Sequence, residues 1–81
     1  MRKLLVGEAL CRASEARYYL LEAESEGGGL YGVEIEWNGE SAGVPALSPS
    51  RERVRGLAEA MLRGVVTPVA LRDIVDDWLL E

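Results

Sequence analysis

The hydrophobic period of this chain changes once, near Ser48. Before it apolar residues alternate with polar ones, and after it they recur every three to four positions. A chain patterned this way is confined to strands first and helices second, which predicts an α+β fold rather than interleaved βαβ units. In the second half Ser48 is the expected N-cap, with Pro49 at the first helical position. Val54, Leu57, Ala58, Met61, Leu62 and Val65 follow at i, i+3, i+4, i+7, i+8 and i+11, and Gly64 is the expected stop. Thr67 then caps a second helix that starts on Pro68, and Leu71, Ile74, Val75, Trp78 and Leu79 repeat the spacing.

The first half carries two turn signals. "RYYLLEAES" and "LYGVEIEW" flank "EGGG", whose glycines supply the positive backbone angles of a tight hairpin. A loop of Gly27 to Gly29 sets Ala23 opposite Val33, Leu21 opposite Ile35 and Tyr19 opposite Trp37, giving one apolar face. The same register puts Glu22, Glu24, Glu34 and Glu36 on the other face, interrupted by Tyr18 and Leu20. Asn38-Gly39 predicts a type I′ turn that pairs Ile35 with Ala42 and Val33 with Val44, keeping the same side apolar. Pro45 cannot donate to a ladder, so the strand Ser41 to Ala46 is expected at the sheet edge. Lys3 to Cys11 forms a further strand, joined through "RASEA", with its inward set open: either Leu5, Gly7, Ala9 and Cys11, or Leu4, Val6 and Leu10. The expected architecture is a single domain over 1–81, a three- to four-stranded antiparallel β-meander (1–47) followed by a helical hairpin (48–81) packed on one sheet face.

Composition narrows the function classes. Eighty-one residues bury roughly 60% of the unfolded surface, enough for one modest core. No apolar run is long enough for a membrane span or a signal peptide, so a cytoplasmic location without membrane partners is expected. Cys11 is the only cysteine and histidine is absent, which removes intrachain disulfides, Cys/His metal sites and the commonest general base. The chain is therefore read as non-catalytic, with no cofactor and no small-molecule substrate. The net charge of −5 disfavours unaided nucleic-acid binding. Only residues 51–66 are locally basic, with Arg51, Arg53, Arg55 and Arg63 against Glu52 and Glu59.

Three groups stand out as candidate sites. Glu22, Glu24, Glu34 and Glu36 form an expected acidic sheet face, neutralised in part by Arg2, Arg12 or Arg17 and open to a basic partner through Tyr18 and Leu20. Arg51, Arg53, Arg55 and Arg63 are the alternative, a nucleic-acid contact of a transcriptional regulator, although Glu59 at i,i+4 from Arg55 and i−4 from Arg63 offers ordinary surface pairing. "GVVTPVALRDIVDDWLL" has the turn length of a DNA-reading helix-turn-helix. Its exposed positions nevertheless display Arg72 against Asp73, Asp76 and Asp77, the wrong sign for phosphate.

The stretches "RYYLLEAESEGGGLYGVEIEW" and "SPSRERVRGLAEAMLRGVVTPVALRDIVDDWL" resemble a family of short proteins of unknown function from clostridia and related gut Firmicutes. The resemblance covers Arg17 to Leu79 and is most specific in its ending, Val66, Thr67, Pro68, Leu71 to Asp77, Trp78 and Leu79. It implies a bacterial cytoplasmic origin and assigns no activity. A small interaction or adaptor module, acting on a protein partner or as a homodimer, is the expected function.

Overall fold

The computed structural model describes residues 1–25 and 28–80; the centre of the "EGGG" turn, Glu26 and Gly27, and the last residue, Glu81, lie outside the described residues. Four strands, β1 (Arg2–Cys11), β2 (Ser14–Ser25), β3 (Gly28–Trp37) and β4 (Glu40–Ser48), pair antiparallel in the order β1-β2-β3-β4. Helix α1 (Arg51–Arg63), a 3₁₀ turn (Pro68–Ala70) and helix α2 (Leu71–Leu79) complete an α+β meander. No helix among the described residues is long and apolar enough to cross a membrane.

The Asn38-Gly39 turn forms as expected, with φ of 52° and 80°, and it pairs Ile35 with Ala42 and Val33 with Val44. The β1–β2 turn is of the same two-residue kind, closing Cys11 onto Ser14 over Arg12 (φ 50°) and Ala13 (φ 67°). Neither residue is glycine or asparagine, so the turn carries no residue signature of its type.

The β2–β3 register differs from the expected one. Gly28 and Gly29 belong to β3, and pairing runs out to Ser25↔Gly28, so Tyr18 meets Ile35, Leu20 meets Val33 and Tyr19 meets Glu34. The offset is three residues, an odd number, and an odd slip reverses every side chain of β2 relative to β3. Tyr18 and Leu20 are consequently in the core at 0% and 1% exposure, not on an exposed patch. The four glutamates are also divided: Glu22 and Glu24 point to the side of Tyr18, whereas Glu34 and Glu36 point to the opposite side.

The buried cluster joins Tyr18 and Leu20 to Val33 and Ile35, to Val54, Ala58 and Met61 of α1, and to Leu71 and Val75 of α2. The Tyr18 hydroxyl donates to the Val66 carbonyl (2.7 Å), tying β2 to the segment between the helices. Burial raises its pKa. The Trp37 indole N–H donates to the Cys11 carbonyl (3.1 Å), closing the β1 end of the sheet in the same way.

Both edge strands are irregular. In β1, Leu5 pairs with Tyr19 and Gly7 with Tyr18, leaving Val6 as an extra residue. The bulge resolves the open choice for this strand by taking half of each alternative: Leu4, then Gly7 and Ala9, face the core, and Leu5, then Glu8 and Leu10, face away. In β4, Val44 pairs with Val33 and Ser48 with Tyr31, so Pro45, Ala46 and Leu47 all stand opposite Gly32. Pro45 thus lies on an edge strand, as expected, with Ala46 at φ 58° inside the bulge.

The helix ends also move. Ser50, not Ser48, caps α1, because its Oγ accepts the Arg53 N–H (3.3 Å) while Ser48 Oγ accepts the Ser50 N–H (3.1 Å). At the far end Gly64 remains right-handed (φ −85°), and Val65 takes the left-handed place at φ 49°. The bonds Val65 N–H to Leu62 (3.2 Å) and Val66 N–H to Met61 (3.1 Å) are those of a Schellman motif, displaced one residue beyond the glycine. Thr67 caps only the 3₁₀ turn, without a side-chain bond, and Leu79 is 56% exposed rather than part of the apolar stripe.

Candidate interaction surfaces

The sheet face away from the core is organised by a lysine that the sequence reading left out. Lys3 sits on β1 opposite Leu21, yet its Nζ lies 2.8 Å from Glu34 Oε2 and 2.8 Å from Glu36 Oε2, both on β3. To reach them it crosses β2, where it stands 4.4 Å from the centroid of the Tyr19 ring. Tyr19 in turn donates its hydroxyl to Glu36 Oε1 (2.8 Å). The two carboxylates are therefore closed by the chain's own groups. Beside them Arg17 approaches Glu8 (3.5 Å) and, at the limit of pairing, Glu15 (4.0 Å).

This network sets a pH dependence. Hydrogen bonds from Lys3 and then Tyr19 hold the Glu36 carboxyl below its ordinary value. A depressed carboxylate stabilises the fold above its unfolded value and loses that contribution as pH falls through the folded one. The two glutamates raise Lys3, whose contribution is present below the ordinary lysine value and is lost as pH rises through the folded one. Glu15 has the opposite sign to Glu36, because neighbouring Glu8 raises its carboxyl. Lys3→Met should accordingly lower stability at neutral pH and flatten its fall between about pH 5 and pH 3, measured by urea unfolding across that range.

Glu22 lies elsewhere, accepting from Arg51 Nε of α1 (3.1 Å) with Arg2 Nη1 at 3.6 Å. Of the three arginines expected to neutralise the glutamates, Arg2 does so at Glu22. Arg17 serves Glu8 and Glu15 instead, and Arg12 occupies the β1–β2 turn. Glu24 is exposed and makes no ion pair among the described residues.

The arginines of α1 do not form one patch. Arg51 is engaged by Glu22, and the Arg53 guanidinium lies 5.0 Å from the Trp78 ring, linking α1 to α2. Arg55 and Arg63 are exposed, and neither pairs with Glu59, so the expected i,i+4 bridges do not form. At about 100° per residue the four spread over roughly 200° of the helix.

On α2 the exposed charged residues are Arg72, Asp73, Asp76 and Asp77, as the sequence periodicity placed them. Asp73, Asp76, Asp77 and Leu80 stand at i, i+3, i+4 and i+7, hence on one side. None of the aspartates is in an ion pair among the described residues, Arg72 included as a possible donor. Exposed apolar side chains bracket them, Val69 (87%) before and Leu79 (56%) and Leu80 (86%) after. No basic residue occupies the last turn.

Neither a curated protein nor a solved structure matches the chain. A family model does match, over residues 2–81, extending through the whole of β1 that the resemblance of the later segments does not reach. This chain therefore belongs to the family of unknown function DUF6514.

Proposed function

We propose that this protein is a small, non-catalytic cytoplasmic interaction module whose docking surface is the exposed side of α2. In this reading the helical hairpin covers one sheet face as a unit, which holds α2 by Leu71 and Val75 and leaves its other side for a partner. The observation that carries it is the set of three unpaired aspartates, Asp73, Asp76 and Asp77, between exposed Val69 and Leu80. Asp76 and Asp77 sit near the negative end of the helix dipole, where an anion is unfavourable by about 0.3–1 kcal/mol. Their i,i+3 and i,i+4 spacing from Asp73 adds mutual repulsion of about 0.2–0.5 kcal/mol per pair. A partner presenting cations beside apolar groups relieves both terms, so its contact segment is basic and amphipathic. Nucleic acid carries the wrong charge for this surface, and the dispersed arginines of α1 offer no second one.

The test compares the intact chain with the Asp73→Asn/Asp76→Asn/Asp77→Asn variant, each immobilised and exposed to lysate of the source cell. The expected result is a protein retained by the native chain, lost from the variant, and released by salt at about 0.5 M, where the Debye length shrinks to a few ångströms. Identical retained sets on the two chains would refute the reading.

A further inference from the structure

The two edges of the sheet are unequal. β4 is blunted by Pro45, which has no N–H, and by a bulge of three residues opposite Gly32. β1 runs ten residues without a proline, pairs on one side only, and exposes Leu5 (51%) and Leu10 (72%), with Met1 (83%) just before it. Its free side is a row of backbone donors and acceptors suited to another strand. We propose that β1 is the docking edge for a second copy of this chain, pairing antiparallel across a two-fold axis at the bulge.

The bulge selects the partner. Residues directly opposite in an antiparallel ladder share a face, so an unbulged strand that matches one half of β1 mismatches the other. A second copy carries the same reversal at the same place. Faces then agree on both sides of the bulge when Leu5 stands opposite the copy's Val6, the single mismatch, outward Leu5 against inward Val6, falling at the axis. That register sets Leu4 against Gly7, Lys3 against Glu8, Arg2 against Ala9 and Met1 against Leu10, each contact occurring twice by symmetry. Lys3 and Glu8 are already held within the chain by Glu34, Glu36 and Arg17, so the pairs that favour this register are the apolar ones, Leu4 with Gly7 and Met1 with Leu10. The register in which every face agrees, with Val6 opposite Gly7, sets Lys3 against Leu10 and Leu5 against Glu8 and so wastes the apolar matches. The result is a continuous eight-stranded sheet joined by a small interface, hence a weak dimer.

Sedimentation equilibrium of the intact chain from about 10 μM to 1 mM reads the proposal directly. A monomer–dimer equilibrium is expected. Leu10→Glu, at an exposed position that folding does not use, should weaken it at least tenfold. Ser41→Lys, exposed on β4, should leave it unchanged, and isotope-filtered NMR of mixed labelled and unlabelled chains should show Met1–Leu10 contacts between copies. A monomeric mass throughout the range overturns the proposal, as does a dimer indifferent to Leu10→Glu.

Discussion

Gly32→Ala lowers the stability of this chain by about 3 kcal/mol or more, one of the two largest single-residue effects the structure implies. A Cβ on Gly32 would lie 2.6 Å from the Pro45 Cα and closer still to the Val44 carbonyl oxygen, so it meets backbone and not the movable end of a side chain. Relief requires the β4 bulge to lift away from β3, which breaks the pairing that positions Ser48 ahead of α1. For a domain of this size total stability is about 4–12 kcal/mol, and each kcal/mol moves the melting temperature by about 4–8 °C. Thermal unfolding followed by circular dichroism should show a fall of more than about 12 °C. Gly7→Ala is the informative comparison: its Cβ would overlap the end of the Leu62 side chain, which can rotate, so the loss should be smaller.

Tyr18→Ala should remove about 3–5 kcal/mol, because it empties a fully buried site that β2 shares with α1 and α2. Tyr18→Phe separates the ring from the hydroxyl. It keeps the volume but leaves the Val66 carbonyl without its partner, at about 1–2 kcal/mol. Tyr19→Ala, one residue along and on the opposite face, should have the smaller effect of an outward side chain that touches Lys3 and Glu36. Urea unfolding of the three variants therefore also tests the β2–β3 register. Equal losses at Tyr18 and Tyr19 would contradict it.

That register is where sequence reasoning failed, and the reason is local. Three consecutive glycines can place a turn at several positions, and each shift of one residue turns β2 over. Asn38-Gly39 allowed a single closure, and the pairs it implied were right. The apolar stripes of both helices were legible from spacing, as was the exposure of Asp73, Asp76 and Asp77. The bulges were not: Val6 and Ala46 look like ordinary strand residues, and only Gly32 within "LYGVEIEW" carried the mark of a close backbone approach. Lys3 escaped notice because its partners are two strands away, a distance that alternation along one strand does not encode.

The central claim is that α2 displays aspartates the isolated fold would be better without. The melting temperature of Asp76→Lys/Asp77→Lys, measured on the free chain at low ionic strength, tests it most directly. With cations at the carbonyl end of the helix and no native ion pair to lose, stability should rise by about 0.5–1 kcal/mol, an increase of several degrees. A lower melting temperature would mean that the aspartates serve the fold itself, and the docking role of α2 would have lost its support.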